Sequence, residues 1–408
     1  MEVTIEKLDH FGRGITHINN KICFVENALP NEVVDIEIIK ENNKYNEAIT
    51  KTIIEPSEFR TEVTCPYYKE CGGCQLLHLE SSKEDEFKTK KVKEIMERIG
   101  SINSYLVEDI SSYKRIHYRN KVTFHCKDKK LGFYKTRTNE IVEIKECDLL
   151  RKEINNLIPI LKDLVKSNEN NISEIMVRVG NNDTKETSMV SIKGEVNNFL
   201  NLDKLVDVII LNDVRITKDN KFTSSISTNK FFVRDKSFFQ VNDTVVTHLY
   251  DEVLNFCKTH DIKNALDLYC GTGTIGIYIS KEVEHVLGID SAESSILDAN
   301  ENKILNNTDN CEFICSKVED QIDKITGNYD LIVVDPPRAG LDNKTKDYLV
   351  KINPKYIIYI SCDPATLARD LKELSKSYDI NKIKPYNMFP KTYHVETVSV
   401  LCRKSIEK

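Results

Sequence analysis

Ala265-Leu266-Asp267-Leu268-Tyr269-Cys270-Gly271-Thr272-Gly273-Thr274-Ile275-Gly276 decides the fold. A short aliphatic run breaks into three glycines spaced G-x-G-x-x-G, and an amphipathic stretch follows. Strand, glycine loop and helix in that order bring backbone amides close to a ligand at a helix start. Outward from this loop the pattern repeats, with aliphatic or β-branched runs at 286–289, 312–315, 331–334 and 356–360, each followed by a helical segment. Strands alternating with helices predict a parallel sheet covered on both faces, with ligands at the carboxyl ends of its strands.

Upstream the period changes. Residues 1 to about 57 alternate apolar and polar residues in short runs, with turn signals at Gly12, Gly14, Asn19-Asn20 and Pro30-Asn31, which predicts a small β-barrel. CPYYKECGGC (65–74) follows, then a lysine-rich helical stretch over 84–99 and a mixed region. The expected organisation is multidomain α/β: an OB-like barrel over 1–57, a central α+β domain carrying the cysteine loop over 58–235, and a Rossmann-like domain over 236–408.

No stretch approaches the roughly 20 apolar residues of a membrane span, and the start has no signal-peptide core, so a cytoplasmic protein with no membrane partner is expected. A net charge of −6 gives no general support for nucleic-acid binding. Locally the picture differs: residues 114–137 hold nine Lys or Arg against one acid, interleaved with Tyr118, Phe124, Phe133 and Tyr134. Such a patch suits phosphates and unpaired bases, or is simply a solvated hairpin face.

Asp290 closes the next strand, 19 residues after Gly271, where an acid can accept from ribose hydroxyls. The loop alone fits a dinucleotide or S-adenosylmethionine. Asp267, placed to reach an amino-acid moiety, the motif Asp335-Pro336-Pro337-Arg338, and the lack of a second dinucleotide half favour methyl transfer. Cys362 ends another strand just before a helix opened by Asp363 and Pro364, where the helix dipole is expected to lower a thiol's pKa. Glu396 heads the last strand as a candidate base, with His394 as local competitor.

The elements SFFQVN (237–242), DLYCGTGT (267–274), DPPRAG (335–340), SCDPATLARD (361–370) and MFPKTYHVE (388–396), in this order, resemble the RumA/TrmA-type RNA uracil-5-methyltransferases. GRGI (12–15) and VENALPNEVV (25–34) resemble that family's TRAM domain, an OB-like RNA-binding barrel. The resemblance covers nearly the whole chain and implies a class I methyltransferase domain at its end. It makes Cys362 the nucleophile and Glu396 the proton acceptor. It also makes Gln240, Tyr269, Gly271, Asp290 and Asp335 contacts to S-adenosylmethionine, and stacks Phe238 near a flipped target base. Asp290 stands where many relatives have Glu, and either accepts from ribose hydroxyls. Because members with both barrel and cluster cysteines act on large-subunit ribosomal RNA, 23S rRNA is the implied substrate, with the tRNA T-loop as the alternative. The residue chemistry agrees: carbon 5 of uracil attacks a sulfonium methyl only after a thiolate has added to carbon 6, and a base must then remove the carbon 5 proton.

Twelve cysteines in a reducing compartment point to metal binding or catalysis at some of them. Cys65, Cys71 and Cys74 offer three thiolates from one loop, and a fourth ligand suits either tetrahedral zinc or an iron–sulfur cluster. The resemblance selects Cys147 over Cys126 as the fourth, and a [4Fe-4S] cluster over zinc, in a structural or RNA-positioning role. The remaining cysteines, Cys23, Cys126, Cys257, Cys270, Cys311, Cys315 and Cys402, are expected as buried filler. Among rivals, a cytosine-5 methyltransferase would carry Pro-Cys where Pro336-Pro337 stands, and an exocyclic-amine methyltransferase would need no cysteine. A non-catalytic RNA-binding assembly factor with a methyltransferase fold is disfavoured by the joint presence of the glycine loop, Asp290, Cys362 and Glu396. Nothing in the sequence demands more than a monomer.

Overall fold

The computed structural model describes residues 1–168, 171–182, 185–217 and 221–405. The N-terminal alternation folds as expected into a barrel-like six-stranded sheet, ordered Glu2–Thr4, Val33–Glu41, Tyr45–Glu55, Lys21–Glu26, Gly14–Ile18, Lys7–Leu8. Its inward positions, among them Ile5, Cys23, Val25, Val34, Ile36 and Ala48, form a small core of their own. A buried carboxylate locks the turn at the barrel's end: Glu32 accepts from the amides of Leu29 and Ser57 and from the guanidinium of Arg60.

A second seven-stranded sheet runs Val214–Arg215, Val208–Leu211, Lys185–Gly194, Ile172–Asn182, Lys121–Lys127, Lys130–Tyr134, Ile141–Glu143. The helix Lys152–Ser167 lays Ile154, Ile158, Leu161 and Val165, spaced at helical intervals, onto Phe124, Leu131, Ile175 and Val177. The basic patch of 114–137 lies on this sheet, and its rings divide. Tyr118 and Phe124 are core residues, whereas Tyr134 is exposed and stacked on His125. Only part of the expected aromatic surface is therefore open to bases, because alternate residues of a strand face opposite sides.

The third sheet is ordered Cys311–Cys315, His285–Asp290, Asn264–Leu268, Leu331–Val334, Tyr356–Ser361, Glu396–Arg403, Tyr378–Tyr386. Its first five strands are parallel, as the sequence predicts, and Glu396–Arg403 runs antiparallel to both its neighbours, Tyr356–Ser361 and Tyr378–Tyr386. The reason is connection length: residues 387–395 join the final pair without a helix, and a parallel return needs a longer crossover. Two apolar cores flank this sheet, one on each face. Strand order reverses between Asn264–Leu268 and Leu331–Val334, which opens a crevice at the carboxyl edge.

The lysine-rich stretch is the helix Ser81–Ile95, continued by one wide turn, Met96–Gly100. Val92, Ile95 and Met96 bury in the same core as the strands Leu331–Val334 and Tyr356–Ser361, so this helix ties the cysteine loop to the third sheet. Among the described residues, no helix is long and apolar enough to cross a membrane. Two cysteines depart from expectation: Cys315 is exposed, because it ends the edge strand of the third sheet, and Cys402 is only half-buried.

Candidate active site and cysteine centre

Left-handed backbone at Tyr269 (φ 65°), Gly271 (φ 55°) and Gly273 (φ 75°) turns the chain from the strand Asn264–Leu268 into the helix Thr274–Ile279. A side chain at Gly271 would meet nothing within 4 Å, so the loop is open there, while one at Gly273 would come within 2.7 Å of Phe313. Asp290 braces the loop, accepting from the Gly271 amide at 3.0 Å and the Ala292 amide at 2.8 Å, and each oxygen keeps a lone pair for a ligand hydroxyl. Asp267 is not where the sequence suggested. Its side chain is wholly buried beneath the loop, with Oδ2 accepting from the Gly276 amide at 3.1 Å, and burial pushes its pKa up to about 8. Tyr269, half-buried, reaches Glu319 and Thr345, both at 3.4 Å.

Segment 237–242 arrives beside this crevice as an alternating strip: Phe238 is 65% exposed while Phe239 and Gln240 are buried. Three residues hold the strip. The buried Arg178 donates to the Ser237 carbonyl at 3.0 Å, Asn120 donates to the Gln240 carbonyl at 3.1 Å, and Asn242 caps the helix Asp243–Thr259. Sequence reasoning missed Arg178 and Asn120. An arginine inside the apolar run Ile175-Met176-Val177-Arg178-Val179 was the available signal, since such a residue is buried only with partners.

Cys362 and Glu396 meet through strand pairing. The antiparallel register pairs Ser361 with Thr397, so the next residue on one strand, Cys362, faces the preceding residue on the other, Glu396. Asp363 fixes the turn beyond Cys362, accepting from the amides of Ala365 at 2.8 Å and Thr366 at 3.0 Å ahead of Pro364. Glu396 is 3% exposed, and burial, then the neighbouring Asp335, pushes its carboxyl well above the ordinary range. Burial likewise raises Asp335 to about 7. These two carboxyls favour one shared negative charge over two. The expected acidic thiol is corrected: burial, then Glu396 and Asp335, push Cys362 up to about 11. Burial, with two carboxyls added to it, outweighs the helix start that the sequence displays. Arg338, from the strand Leu331–Val334 side, pulls both Cys362 and Glu396 back down. His394 is held neutral, its pKa lowered to about 4 by burial and by Arg338, which makes it a weak proton acceptor.

Removing that cation should raise the thiol further. Arg338→Met is expected to slow alkylation of Cys362 at neutral pH and to move its rise with pH upward, since an opposite charge nearby favours the thiolate. Mass-resolved alkylation rates across a pH series check it, and an unchanged profile would show that Arg338 does not govern the thiol.

The four cysteines singled out earlier share one place. Cys65, Cys71, Cys74 and Cys147 line a single cavity of about 290 Å³, together with Tyr67 and Arg119. Cys126 is in the core instead. Burial pushes all four thiols up, Cys147 to about 11; neighbouring cysteines add to it at Cys71, Cys74 and Cys147, Asp148 and Glu146 at Cys65, and Arg119 is the cation that acts on Cys74. Asn155 pins both the amide and the carbonyl of Cys147, at 2.9 and 3.1 Å. Among the described residues, no group of three or more His, Cys, Asp or Glu side chains is arranged to hold a single metal ion.

Comparisons with known proteins point to one family. A family model described as tRNA (Uracil-5-)-methyltransferase matches residues 214–404, and the TRAM domain matches residues 1–50. A relative named as an uncharacterized RNA methyltransferase from Aquifex aeolicus is 34% identical, with 98% of each chain covered. One from Clostridium acetobutylicum is also 34% identical, over 98% of this chain and 96% of its own. Among solved structures, the Pyrococcus abyssi tRNA (uracil-54, C5)-methyltransferase in complex with S-adenosyl-L-homocysteine superposes with a TM-score of 0.79. It is 26% identical and covers 98% of this chain and 100% of its own. Matched from barrel to final strand, the chain belongs to the RumA/TrmA-type RNA uracil-5-methyltransferases, a family of S-adenosylmethionine-dependent RNA methyltransferases.

Proposed function

We propose that this enzyme methylates carbon 5 of a uridine in RNA through a covalent bond between Cys362 and carbon 6. The observation that carries the reading is the pairing of Ser361 with Thr397, which sets Cys362 opposite Glu396 at the carboxyl edge of the sheet. The Cys362 sulfur adds to carbon 6 and the electrons move onto the carbonyl at carbon 4. Carbon 5 then takes the methyl group, and the donor leaves as S-adenosylhomocysteine. Glu396 removes the carbon 5 proton, the double bond reforms and the carbon–sulfur bond breaks. Gln240, Tyr269, Gly271, Asp290 and Asp335 would hold S-adenosylmethionine, and the exposed Phe238 ring would stack near a base swung out of its helix.

Cys65, Cys71, Cys74 and Cys147 would hold a [4Fe-4S] cluster, as the family resemblance implies; all four line one cavity. When bound, the cluster would cross-link the loop 65–74 to Cys147, as methyl transfer requires no net electron flow. Anaerobically purified protein is expected to contain about four iron atoms per chain, lost in Cys147→Ala. Zinc without iron would replace the cluster with a tetrahedral site.

The RNA is proposed to be 23S rRNA, modified by a monomer in the cytoplasm. A second reading, tRNA, is favoured by the Pyrococcus abyssi protein, whose match spans barrel and cysteine loop alike and whose named target is tRNA uracil 54. Mapping 5-methyluridine by mass spectrometry in ribosomal and transfer RNA, with and without the gene, tests both. Loss at a ribosomal position supports the first, loss confined to tRNA the second, and no loss in either overturns the uridine reading.

A further inference from the structure

Residues 387–394 lead into Glu396, and their polar groups are held from outside the sheet. Lys88 donates to the Phe389 carbonyl at 3.1 Å, Tyr118 to the Pro390 carbonyl at 3.2 Å, and Lys91 to the Tyr393 carbonyl at 2.8 Å. Lys391 is the densest of these joints. Its carbonyl accepts from the amides of Gln75 at 3.1 Å and Leu76 at 3.0 Å, the two residues directly after Cys74. Its amide donates to the buried Glu84 at 3.0 Å, and its ammonium to the Leu79 carbonyl at 3.2 Å and the Ser81 hydroxyl at 3.1 Å.

The conformation at Lys391 is left-handed, φ 66°, in a residue only 8% exposed. A residue with a Cβ occupies that region at a cost and stays there when its surroundings over-determine it. A lysine is also poorly suited to burial unless its ammonium is satisfied. Both costs are met here by contacts reaching back more than 300 residues in sequence, to the cysteine loop and the helix Ser81–Ile95.

We propose that Lys391 is a positioning residue for the methylation reaction, the buried joint through which the cysteine loop and the helix Ser81–Ile95 hold Glu396 opposite Cys362. The inference rests on the reading of Glu396 as the base. If Lys391 sets the base, loosening it slows loss of the carbon 5 proton more than the methyl transfer before it. The methylated adduct then outlives its ordinary lifetime.

Lys391→Gly tests this, because glycine accepts the backbone conformation while deleting the ammonium contacts. Lys391→Met, which keeps the stem, is the second variant. With ordinary uridine RNA and S-adenosylmethionine, both are expected to lower kcat about tenfold, within what small misplacements of reacting groups cost. KM for RNA should stay unchanged, single-turnover methyl transfer should be near wild type, and a denaturation-stable protein–RNA adduct should accumulate. Equal losses in methyl transfer and in release, or wild-type turnover, would overturn the positioning role. If Lys391→Gly does not fold, the same outcomes for Lys391→Met decide. Failure of the covalent reading is distinct: wild-type protein would then form no adduct with 5-fluorouridine RNA.

Discussion

Cys362→Ala is expected to lower methyl transfer to RNA by on the order of 10⁴-fold or more, the scale on which enzymes lose rate when a covalent nucleophile is removed. Carbon 5 of an isolated uracil lacks the electron density to displace a sulfonium methyl, and the other thiols at the carboxyl ends of the strands are not placed to replace Cys362: Cys315 ends the far edge strand of the sheet. Cys270, nearest in sequence to the glycine loop, is buried in the apolar interior with its pKa driven well up. The test is incorporation of labelled methyl groups at saturating RNA, alongside a titration with S-adenosylmethionine. Binding should be intact, because the residues proposed to hold the cofactor are carried by other loops. Wild-type protein should trap 5-fluorouridine RNA, whose carbon 5 fluorine cannot leave as a proton does, and the variant should not. Residual methylation within tenfold of wild type would end the covalent mechanism. Loss of cofactor binding as well would mean that the substitution had disturbed the site rather than the chemistry.

Much of this site was legible because its parts are local. The glycine loop, the aspartate cap beyond Cys362 and the strand ends at Asp290 and Asp335 each announce themselves within a dozen residues. What escaped depends on encounters between distant segments. The helix start beside Cys362 is visible in Asp363-Pro364, but the burial of Cys362 and its neighbours Glu396 and Asp335, which together reverse the helix start's effect on the thiol, come about only once three strands are paired. The antiparallel final hairpin hinged on the absence of a helix between 386 and 396, and periodicity does not report strand direction. Lys88, wholly buried and 299 residues from its partner Asn387, sits in a helix whose composition suggests a solvated face. Likewise Tyr118 and Phe124 look like stacking platforms in a basic run, yet the pleat of the strand Lys121–Lys127 sends Phe124 inward, and Tyr118, in the loop before it, buries its ring with the hydroxyl on the Pro390 carbonyl.

Glu396→Gln should separate the two halves of the reaction. The amide has nearly the shape of the acid but no capacity to take a proton, so the thiol can still add and the methyl group can still move. Elimination then stalls for want of a base. With ordinary uridine RNA, turnover is expected to fall about 10²- to 10⁴-fold, the range of a general base. One methyl group per protein should be transferred and retained in a denaturation-stable adduct. Stability sharpens the test. The folded-state pKa of Glu396 lies above its unfolded value, so the folded chain holds the proton to higher pH than the unfolded chain does. Stability is therefore undiminished below the unfolded pKa and falls as pH rises from there through the folded pKa. Glutamine has no proton to lose, so the variant should be at least as resistant to urea at neutral pH as wild type, and a fall in turnover could not be assigned to unfolding. For the wild type, release should slow as pH falls through the raised pKa, since only the ionised carboxylate accepts. A variant that turns over normally would transfer the base role elsewhere, and one that neither turns over nor forms the adduct would show Glu396 acting before methyl transfer.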